Sequence, residues 1–307
     1  MSQPLQPVVL CGAVSPEREV SLRSGRAVAG ALPGCRLVEL DRNELPEWLD
    51  AARHIVIPVI HGDYGEDGTV QAELDARGVA YAGCEAAASR LCLDKVATKS
   101  AMRRAGVPAI PEVAFAGAAK PTAAALVAQL GPQVVLKPAD KGSSVGLYVV
   151  DGETAIAEAL AQIPATGQWM AERRLQGREM SIGILGGQAM GIVEIVPRKG
   201  VYDYQSKYTK GSSDYIYPAA VPGELTARIQ AAAEALFRAC GCRDFARADL
   251  FLEPDGQFYF LEINTMPGMT ETSLMPKSAS CVGLDFPLLV RRMAAPALAR
   301  AAQPVRL

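Results

Sequence analysis

The sequence predicts an α/β protein made of three consecutive units, of which the first is a parallel α/β unit. Short apolar segments alternate with helical patterns in residues 8–83, as in segments 8–10, 20–32 and 54–60, which is typical of parallel strands joined by helices. The length of 307 residues accommodates two or three compact units. In such a unit the functional edge lies where strands end and loops begin, here at residues 12–15 and 61–68.

The predicted boundaries of the three units are 1–93, 94–179 and 180–307. In the second unit we expect a helix at 95–105, followed by a break at 106–108. A strand at 134–137, a loop of glycine and serine at 140–144 and a second strand at 145–150 follow. The third unit carries strands, a helix at 224–240 and a polar segment rich in tyrosine, glycine and serine near 201–217. That segment is too polar for a core, so it is either a lid over a site or a solvated loop.

The most informative stretch is a predicted β-hairpin at residues 247–264, with its turn at Glu253-Pro254-Asp255-Gly256. Side chains alternate along a strand, so Arg247 and Asp249 lie on the same face of their strand, and Glu262 and Asn264 lie on the same face of theirs. An even number of loop residues would place Arg247 opposite Glu262 and direct all four polar side chains to the same side.

Such a polar face has a chemical meaning. Two carboxylates and an amide oxygen are hard ligands that suit Mg²⁺, and a neighbouring arginine would stabilise developing negative charge. The hairpin therefore indicates phosphoryl chemistry, with a solvated polar face as the alternative.

Composition excludes several classes of partner. With 31 basic and 33 acidic residues the net charge is −2, so no basic field is expected to hold nucleic acid or an anionic membrane. No apolar run approaches the roughly 20 residues that cross a bilayer. The seven cysteines are scattered without Cys-x-x-Cys spacing, which argues against a disulfide framework or a structural zinc site. We expect a cytoplasmic protein that acts on small molecules, with no nucleic-acid or membrane partner.

Phosphate binding is indicated by residues 137–146, where Lys137 ends a strand and a loop of small residues follows. An ordinary hairpin loop is the alternative. The sequence has no Gly-Lys dipeptide and no Gly-x-Gly-x-x-Gly after its first strand, which excludes a Walker-type loop and counts against a dinucleotide oxidoreductase.

Two candidate polar residues lie at the functional edge of the first unit. Ser15 and Pro16 predict a helix start, with Ser15 as the cap and Pro16 as the first helical residue. Glu17 then either binds a substrate ammonium group or merely favours the helix terminus. His61 is either a hydrogen-bonded residue at a strand end or a ligand-binding residue.

Taken together, these motifs resemble the D-alanine–D-alanine ligase family of the ATP-grasp superfamily. The motifs that carry the resemblance are residues 15–21, 61–68, 93–95, 137–146, 202–208, 247–249 and 262–270. The likeness covers nearly the whole chain. It implies a three-domain ATP-grasp architecture with an N-terminal Rossmann-like domain, and ATP held between the central and C-terminal units.

The resemblance also implies roles for individual residues. Nucleotide contacts are expected from Lys95 and Lys137 on the phosphates and from Glu172, Arg173, Leu175 and Glu179 around adenine and ribose. Two Mg²⁺ ions, or Mn²⁺ in their place, would be held by Asp249, Glu262 and Asn264. Glu17 would contact the ammonium group of the first D-alanine, His61 would also contact substrate, and Ser273 and Leu274 would receive the carboxylate of the second D-alanine. Arg247 and the Gly268 amide would stabilise the oxyanion, and Lys207 would contact the transferred phosphate. Ser143 and Tyr208 would link Glu17 to the lid.

The implied activity is ATP-dependent joining of two D-alanines for peptidoglycan precursor synthesis, by a homodimer. Tyr208 lies where ester-forming members of the family typically carry histidine, so peptide rather than D-lactate ester is the expected product. Two departures from the family pattern are the sequence Cys11-Gly12-Ala13, where paired glycines are usual, and Arg173, where lysine is common. A ligase for other amino or hydroxy acids and a nucleotide-binding regulator without turnover are the alternatives.

Overall fold

The structure is a computed structural model that describes residues 5–141, 146–198 and 212–302. No helix within these ranges is both long enough and apolar enough to cross a membrane.

The first sheet has three strands in the order β2-β1-β3, and they are parallel, as the sequence predicts. The strands are β1 (Gln6–Gly12), β2 (Arg36–Leu40) and β3 (His54–Val59). The helices of this region are α1 (Arg18–Ala31), α2 (Asp63–Glu66), α3 (Thr69–Ala76) and α4 (Ala86–Leu93). Every residue of β3 is buried, because both faces of the sheet are covered.

Helix α1 begins two residues later than predicted. Its N-cap is Glu17, whose side chain makes no capping hydrogen bond, and its first helical residue is Arg18. The Ser15 hydroxyl accepts a hydrogen bond from the Glu17 amide at 3.0 Å and donates one to the His61 carbonyl at 2.8 Å. The expected assignment of Ser15 as the cap and Pro16 as the first helical residue was therefore wrong, because Ser15 instead ties two loops together.

A four-stranded antiparallel sheet follows, in the order β4-β7-β5-β6. Its strands are β4 (Glu112–Ala116), β5 (Gln133–Pro138), β6 (Tyr148–Asp151) and β7 (Gln168–Arg173). The accompanying helices are α5 (Lys95–Arg104), α6 (Ala123–Leu130) and α7 (Glu153–Gln162). Helices α6 and α7 cover one face through Leu126 and Ile156, which pack with Leu136 of β5. The predicted helix at 95–105 is confirmed.

The third sheet has five antiparallel strands in the order β10-β9-β8-β11-β12. The strands are β8 (Arg178–Leu185), β9 (Gln188–Pro197), β10 (Ser213–Ile216), β11 (Phe245–Leu252) and β12 (Phe258–Asn264). The helices of this region are α8 (Gly223–Ala239), α9 (Leu274–Ser280) and α10 (Phe286–Ala301). The predicted helix at 224–240 and the predicted hairpin are confirmed.

Helix α10 joins the end of the chain to the first sheet. Its Leu289 and Met293 belong to the same apolar cluster as Val9 and Ile57 of the parallel strands. Near its end, Arg300 forms an ion pair with the buried Asp244 at 2.6 Å. The proposed boundary at 93 precedes the second sheet, whereas the one at 179 falls inside β8 of the third sheet. The core of the first sheet also includes this C-terminal helix.

The register of the β11–β12 hairpin differs from the prediction. Arg247 pairs with Asn264, and Asp249 pairs with Glu262, not Arg247 with Glu262. The loop between the paired residues Leu252 and Phe258 contains an odd number of residues, and the register shifts between Asp249 and Leu250. Leu261 is the extra residue of this bulge. All four polar side chains therefore lie on one face, as expected, but the bulge places them there and not an even number of loop residues.

Candidate active site

Two neighbouring cavities are lined by the predicted functional residues that lie within the described part of the chain. A cavity of about 130 Å³ lies between the loops of the first unit, the hairpin and the loop after β12. The predicted residues that line it are Glu17, His61, Lys95, Arg247, Asp249, Glu262, Asn264, Gly268, Ser273 and Leu274. A cavity of about 650 Å³ lies between the second and third sheets. The predicted residues that line this one are Lys95, Lys137, Glu172, Arg173, Leu175, Glu179, Asp249 and Glu262.

Lys95, Asp249 and Glu262 line both cavities. The smaller cavity is lined by the residues predicted to contact the amino-acid substrates, and the larger one by the residues predicted to contact the nucleotide. These three residues therefore lie where a group could pass from one bound molecule to the other.

Asp249 is the most buried acid of the hairpin face, at 7% exposure. Its Oδ1 accepts a hydrogen bond of 2.6 Å from the Ser181 hydroxyl of the adjacent strand β8. Arg247, two residues earlier on the same face, donates to both carboxylate oxygens at 2.9 and 2.7 Å. Strand alternation and the neighbouring strand thus fix the orientation of this carboxylate.

The hairpin face fits a hard divalent cation. Asp249 and Glu262 are direct cross-strand neighbours, and Asn264 adds an amide oxygen that accepts a hydrogen bond from the Met266 amide at 2.8 Å. In the described part of the chain, no group of three or more His, Cys, Asp or Glu residues could hold a metal by itself. This donor set suits Mg²⁺, which commonly binds one or two carboxylates and completes its shell with water and substrate phosphates.

Lys95 is held at the start of helix α5, where the Asp94 side chain caps the helix by accepting from the Val96 and Ala97 amides. Its ammonium group donates to the Lys141 carbonyl at 2.7 Å and lies 3.6 Å from a Glu262 oxygen. Lys95 therefore contacts both the predicted metal face and the start of the predicted phosphate loop.

Lys137 and Glu172 form an ion pair of 2.7 Å at the wall of the larger cavity. The other oxygen of Glu172 lies 2.7 Å from the ammonium group of Lys99. Burial alone would raise the pKa of Glu172, but the two ammonium groups lower it to about 2. Burial lowers the pKa of Lys99, and Glu172 opposes that effect. Lys99 escaped the sequence analysis because a lysine within a helix ordinarily faces solvent.

Arg173 points toward the hairpin turn. Its guanidinium pairs with Glu253 at 2.9 Å and lies 5.3 Å from the centre of the Tyr259 ring. This arrangement makes use of a planar guanidinium, since arginine stacks on aromatic faces more readily than lysine. The departure at position 173 thus has a structural partner of its own.

Glu17 and His61 line the smaller cavity on its first-unit side, and Gly62 follows His61 in the chain. Gly62 has a φ of +92°, and a Cβ there would lie 2.6 Å from the Ser15 Cβ and 3.9 Å from a Glu17 carboxylate oxygen. His61 is buried, and its Nδ1 lies 3.6 Å from Glu66. The loop carrying His61 therefore packs closely against Ser15, and the positive φ and this contact together favour glycine at position 62.

Ala13 lies at one of the two positions where the sequence departs from the family pattern, and its backbone conformation is unusual for alanine. It has a φ of +67°, next to Gly12 at +86°. A left-handed backbone costs an L-residue about 1–2 kcal/mol but costs glycine little, which is a physical reason for glycine at such a position.

The loop after β12 carries Gly268 and Ser273. The Met269 amide donates to the Ser24 hydroxyl of α1 at 3.1 Å, and the Thr270 amide donates to Ser273 Oγ at 2.9 Å. A Cβ at Gly268 would lie 2.9 Å from Ser273 Oγ. The loop is thus tied to helix α1 through Met269 and held internally by the contact between Thr270 and Ser273.

Three predicted residues, Ser143, Lys207 and Tyr208, lie outside the described residues, as does most of the predicted lid. The sequence analysis missed Ser181 and Lys99, which belong to no recognisable motif, and it named no role for Glu66, although Glu66 lies in the motif at residues 61–68. Cysteines that are scattered along the sequence also meet in space: Cys92, at the wall of the smaller cavity, lies 3.7 Å from Cys242, and all seven cysteines are free.

Comparison with known proteins agrees with this arrangement. The family model described as D-ala D-ala ligase C-terminus matches residues 101–295. The D-alanine–D-alanine ligase of Desulforudis audaxviator is 41% identical over 300 residues, covering 93% of this chain and 96% of that protein. The D-alanine–D-alanine ligase of Anaeromyxobacter sp. strain Fw109-5 is 40% identical over 291 residues, covering 93% and 94%.

The chain belongs to the D-alanine–D-alanine ligase family. Within that family, the ATP complex of the D-alanine–D-alanine ligase from Bacillus anthracis has a TM-score of 0.84 at 28% identity, covering 98% of this chain and 99% of that one. The VanG D-Ala:D-Ser ligase from Enterococcus faecalis has a TM-score of 0.81 at 27% identity, covering 96% and 100%. These likenesses support the ATP-grasp architecture expected from the sequence.

Proposed function

We propose that this chain is an ATP-dependent ligase that joins two D-alanines into D-alanyl-D-alanine for peptidoglycan precursor synthesis. The observation that carries this proposal is the position of Lys95, Asp249 and Glu262 in the walls of both cavities. Phosphoryl transfer from a nucleotide to an amino-acid carboxylate needs charge-stabilising groups at such a junction.

The first step would be activation of a carboxylate, which is by itself a poor electrophile. ATP would occupy the larger cavity, with Lys95 and Lys137 on its phosphates and with Glu172, Arg173, Leu175 and Glu179 around adenine and ribose. A carboxylate oxygen of the first D-alanine would attack the terminal phosphorus, giving an acyl phosphate and ADP. Glu17 would hold the ammonium group of this D-alanine by a charge-assisted hydrogen bond.

The second step would be attack by the neutral amine of the second D-alanine on the acyl carbon, which expels inorganic phosphate. Arg247 and the Gly268 amide would stabilise the tetrahedral oxyanion, while Ser273 and Leu274 would receive the second carboxylate. Lys207, Ser143 and Tyr208 keep their predicted roles at the transferred phosphate and the lid. No covalent enzyme intermediate is needed, so catalysis rests on positioning and electrostatics.

Asp249, Glu262 and Asn264 would hold two Mg²⁺ ions, with Mn²⁺ as an alternative. Bound there, the ions would neutralise charge on the transferring phosphoryl group. The cross-strand pairing of the two acids supports this assignment.

The alternative functions are less well supported. The curated relatives compared above are D-alanine–D-alanine ligases, so a ligase for other amino or hydroxy acids is not favoured. A regulator without turnover would need its acids and lysines only at the nucleotide, whereas Lys95, Asp249 and Glu262 also line the proposed amino-acid cavity, which weighs against it. The domain boundaries, the homodimer and the cytoplasmic location remain predictions from the sequence.

The proposed function is tested with the purified protein, ATP and Mg²⁺ across a panel of D- and L-amino acids, with phosphate release and product mass as readouts. We expect phosphate release with D-alanine and D-alanyl-D-alanine as the product. Turnover only with another amino acid, or none with any, would contradict the proposal.

A further inference from the structure

Lys99 lies on helix α5 with 0% exposure. Its ammonium group contacts Glu172 at 2.7 Å and donates to the Ile110 carbonyl at 3.2 Å. A buried charge is costly unless it is paired and hydrogen-bonded, so this lysine depends on Glu172.

Glu172 is itself shared between two cations. One carboxylate oxygen contacts Lys99 and the other contacts Lys137, each at 2.7 Å. The three side chains together carry two positive charges and one negative charge, which leaves one positive charge in excess. Lys137 lines the larger cavity, so the excess charge is presented to that cavity through Lys137.

We propose that Lys99 is a positioning residue that satisfies Glu172 and thereby leaves Lys137 available for a nucleotide phosphate. This inference rests on the proposed contact between Lys137 and the phosphates. Without Lys99, Glu172 and Lys137 would form a neutral pair, and the carboxylate would hold the ammonium group away from the phosphate. With Lys99 present, Lys137 can leave Glu172 without exposing an unpaired buried carboxylate.

The test is calorimetric binding of ATP and of adenosine, because only ATP carries phosphates. We expect Lys99→Met to weaken ATP binding about ten- to a hundredfold, the scale of one partly screened charge at a few ångströms. Adenosine binding should fall much less than ATP binding, since adenosine has no phosphate to attract, and any change at the proposed adenine contact of Glu172 affects both ligands and cancels in their ratio. The matched control is Lys120→Met, which removes a lysine of the same unit that donates to the Leu160 carbonyl at 2.8 Å. It should leave the ratio of ATP to adenosine affinity unchanged.

A double variant separates positioning from general stability. Lys99→Met with Glu172→Gln removes both charges and leaves Lys137 without a carboxylate to hold it. The ratio of ATP to adenosine affinity should therefore return most of the way to the wild-type ratio. This variant leaves no unpaired buried carboxylate, so it carries the test even if Lys99→Met alone does not fold. Failure of the double variant to recover the ratio would overturn the proposal.

Two further outcomes would overturn it. Equal losses of ATP and adenosine affinity in Lys99→Met would show a purely structural role. An unchanged affinity ratio in Lys137→Met would show that Lys137 makes no phosphate contact, and the inference would fail with that contact. Turnover of the wild-type protein with D-alanine tests the ligase function separately from both results.

Discussion

Asp249 and Glu262 face each other across strands β11 and β12 because Leu261 is an extra residue in the second strand. Without this bulge, the pairing nearer the turn would continue unchanged. Arg247 and Asp249 would then lie on the opposite face from Glu262 and Asn264, since a slip of one residue reverses every side chain of a strand. The bulge thus assembles the proposed metal-binding face.

Replacing either acid should nearly abolish turnover. Asp249→Asn or Glu262→Gln removes a negative charge where a cation is needed, and we expect a loss of about 3 kcal/mol or more in transition-state stabilisation. Steady-state turnover at saturating Mg²⁺ measures the effect. Asp255→Asn is the matched control, because Asp255 lies in the exposed turn of the same hairpin. Near-normal turnover of both acid variants would show that the metal binds elsewhere.

Glu17→Gln should weaken use of the first D-alanine far more than binding of ATP. A charge-assisted hydrogen bond to an ammonium group contributes roughly 1.5–3 kcal/mol, so the KM for D-alanine should rise by more than tenfold. The control is Glu19→Gln, an exposed acid in the first turn of the same helix. If the two variants behaved alike, the role of Glu17 would be confined to the helix terminus.

Ala13→Gly should cost little or no stability, which is unusual for a substitution of a buried alanine by glycine. The left-handed φ of +67° favours glycine by about 1–2 kcal/mol. This preference is offset by about 0.5–1 kcal/mol of extra chain entropy in the unfolded state and by about 0.8 kcal/mol for the buried methyl group that is lost. Ala27→Gly, within helix α1, should instead lose about 1 kcal/mol in the free energy of unfolding. A loss at Ala13 as large as that at Ala27 would contradict the backbone argument.

Lys277 should make stability rise with pH in the alkaline range. Burial lowers its pKa from the ordinary value of 10.5 to about 8, and Glu271 opposes the shift. Between these two values the unfolded chain binds more protons than the folded one, so the free energy of unfolding increases as pH rises. Denaturant titrations at several pH values should show that the free energy of unfolding of the wild type increases, relative to that of Lys277→Met, as pH rises. Parallel pH profiles would exclude this titration.

Much of the site follows from the sequence because its residues lie in local motifs at the ends of strands. The parallel first sheet, the hairpin and residues such as Glu17, His61 and Lys137 were predicted in this way. The remaining candidate residues, among them Glu172, Arg173 and Ser273, came from the resemblance to the family. The bulge at Leu261 was not predicted, since nothing in the local sequence marks an extra residue and packing of the strand decides it. Lys99 and Glu172 were not recognised as an ion pair for a similar reason: their contact joins a helix to a distant strand and has no local pattern.

The central claim is that ATP activates the carboxylate of the first D-alanine as an acyl phosphate. The most direct test uses D-alanine labelled with a heavy oxygen isotope in both carboxylate oxygens, followed by mass analysis of the inorganic phosphate. The attacking carboxylate oxygen stays with phosphorus when the amine displaces phosphate, so each phosphate released should contain a single labelled oxygen. Unlabelled phosphate released together with D-alanyl-D-alanine would contradict the account.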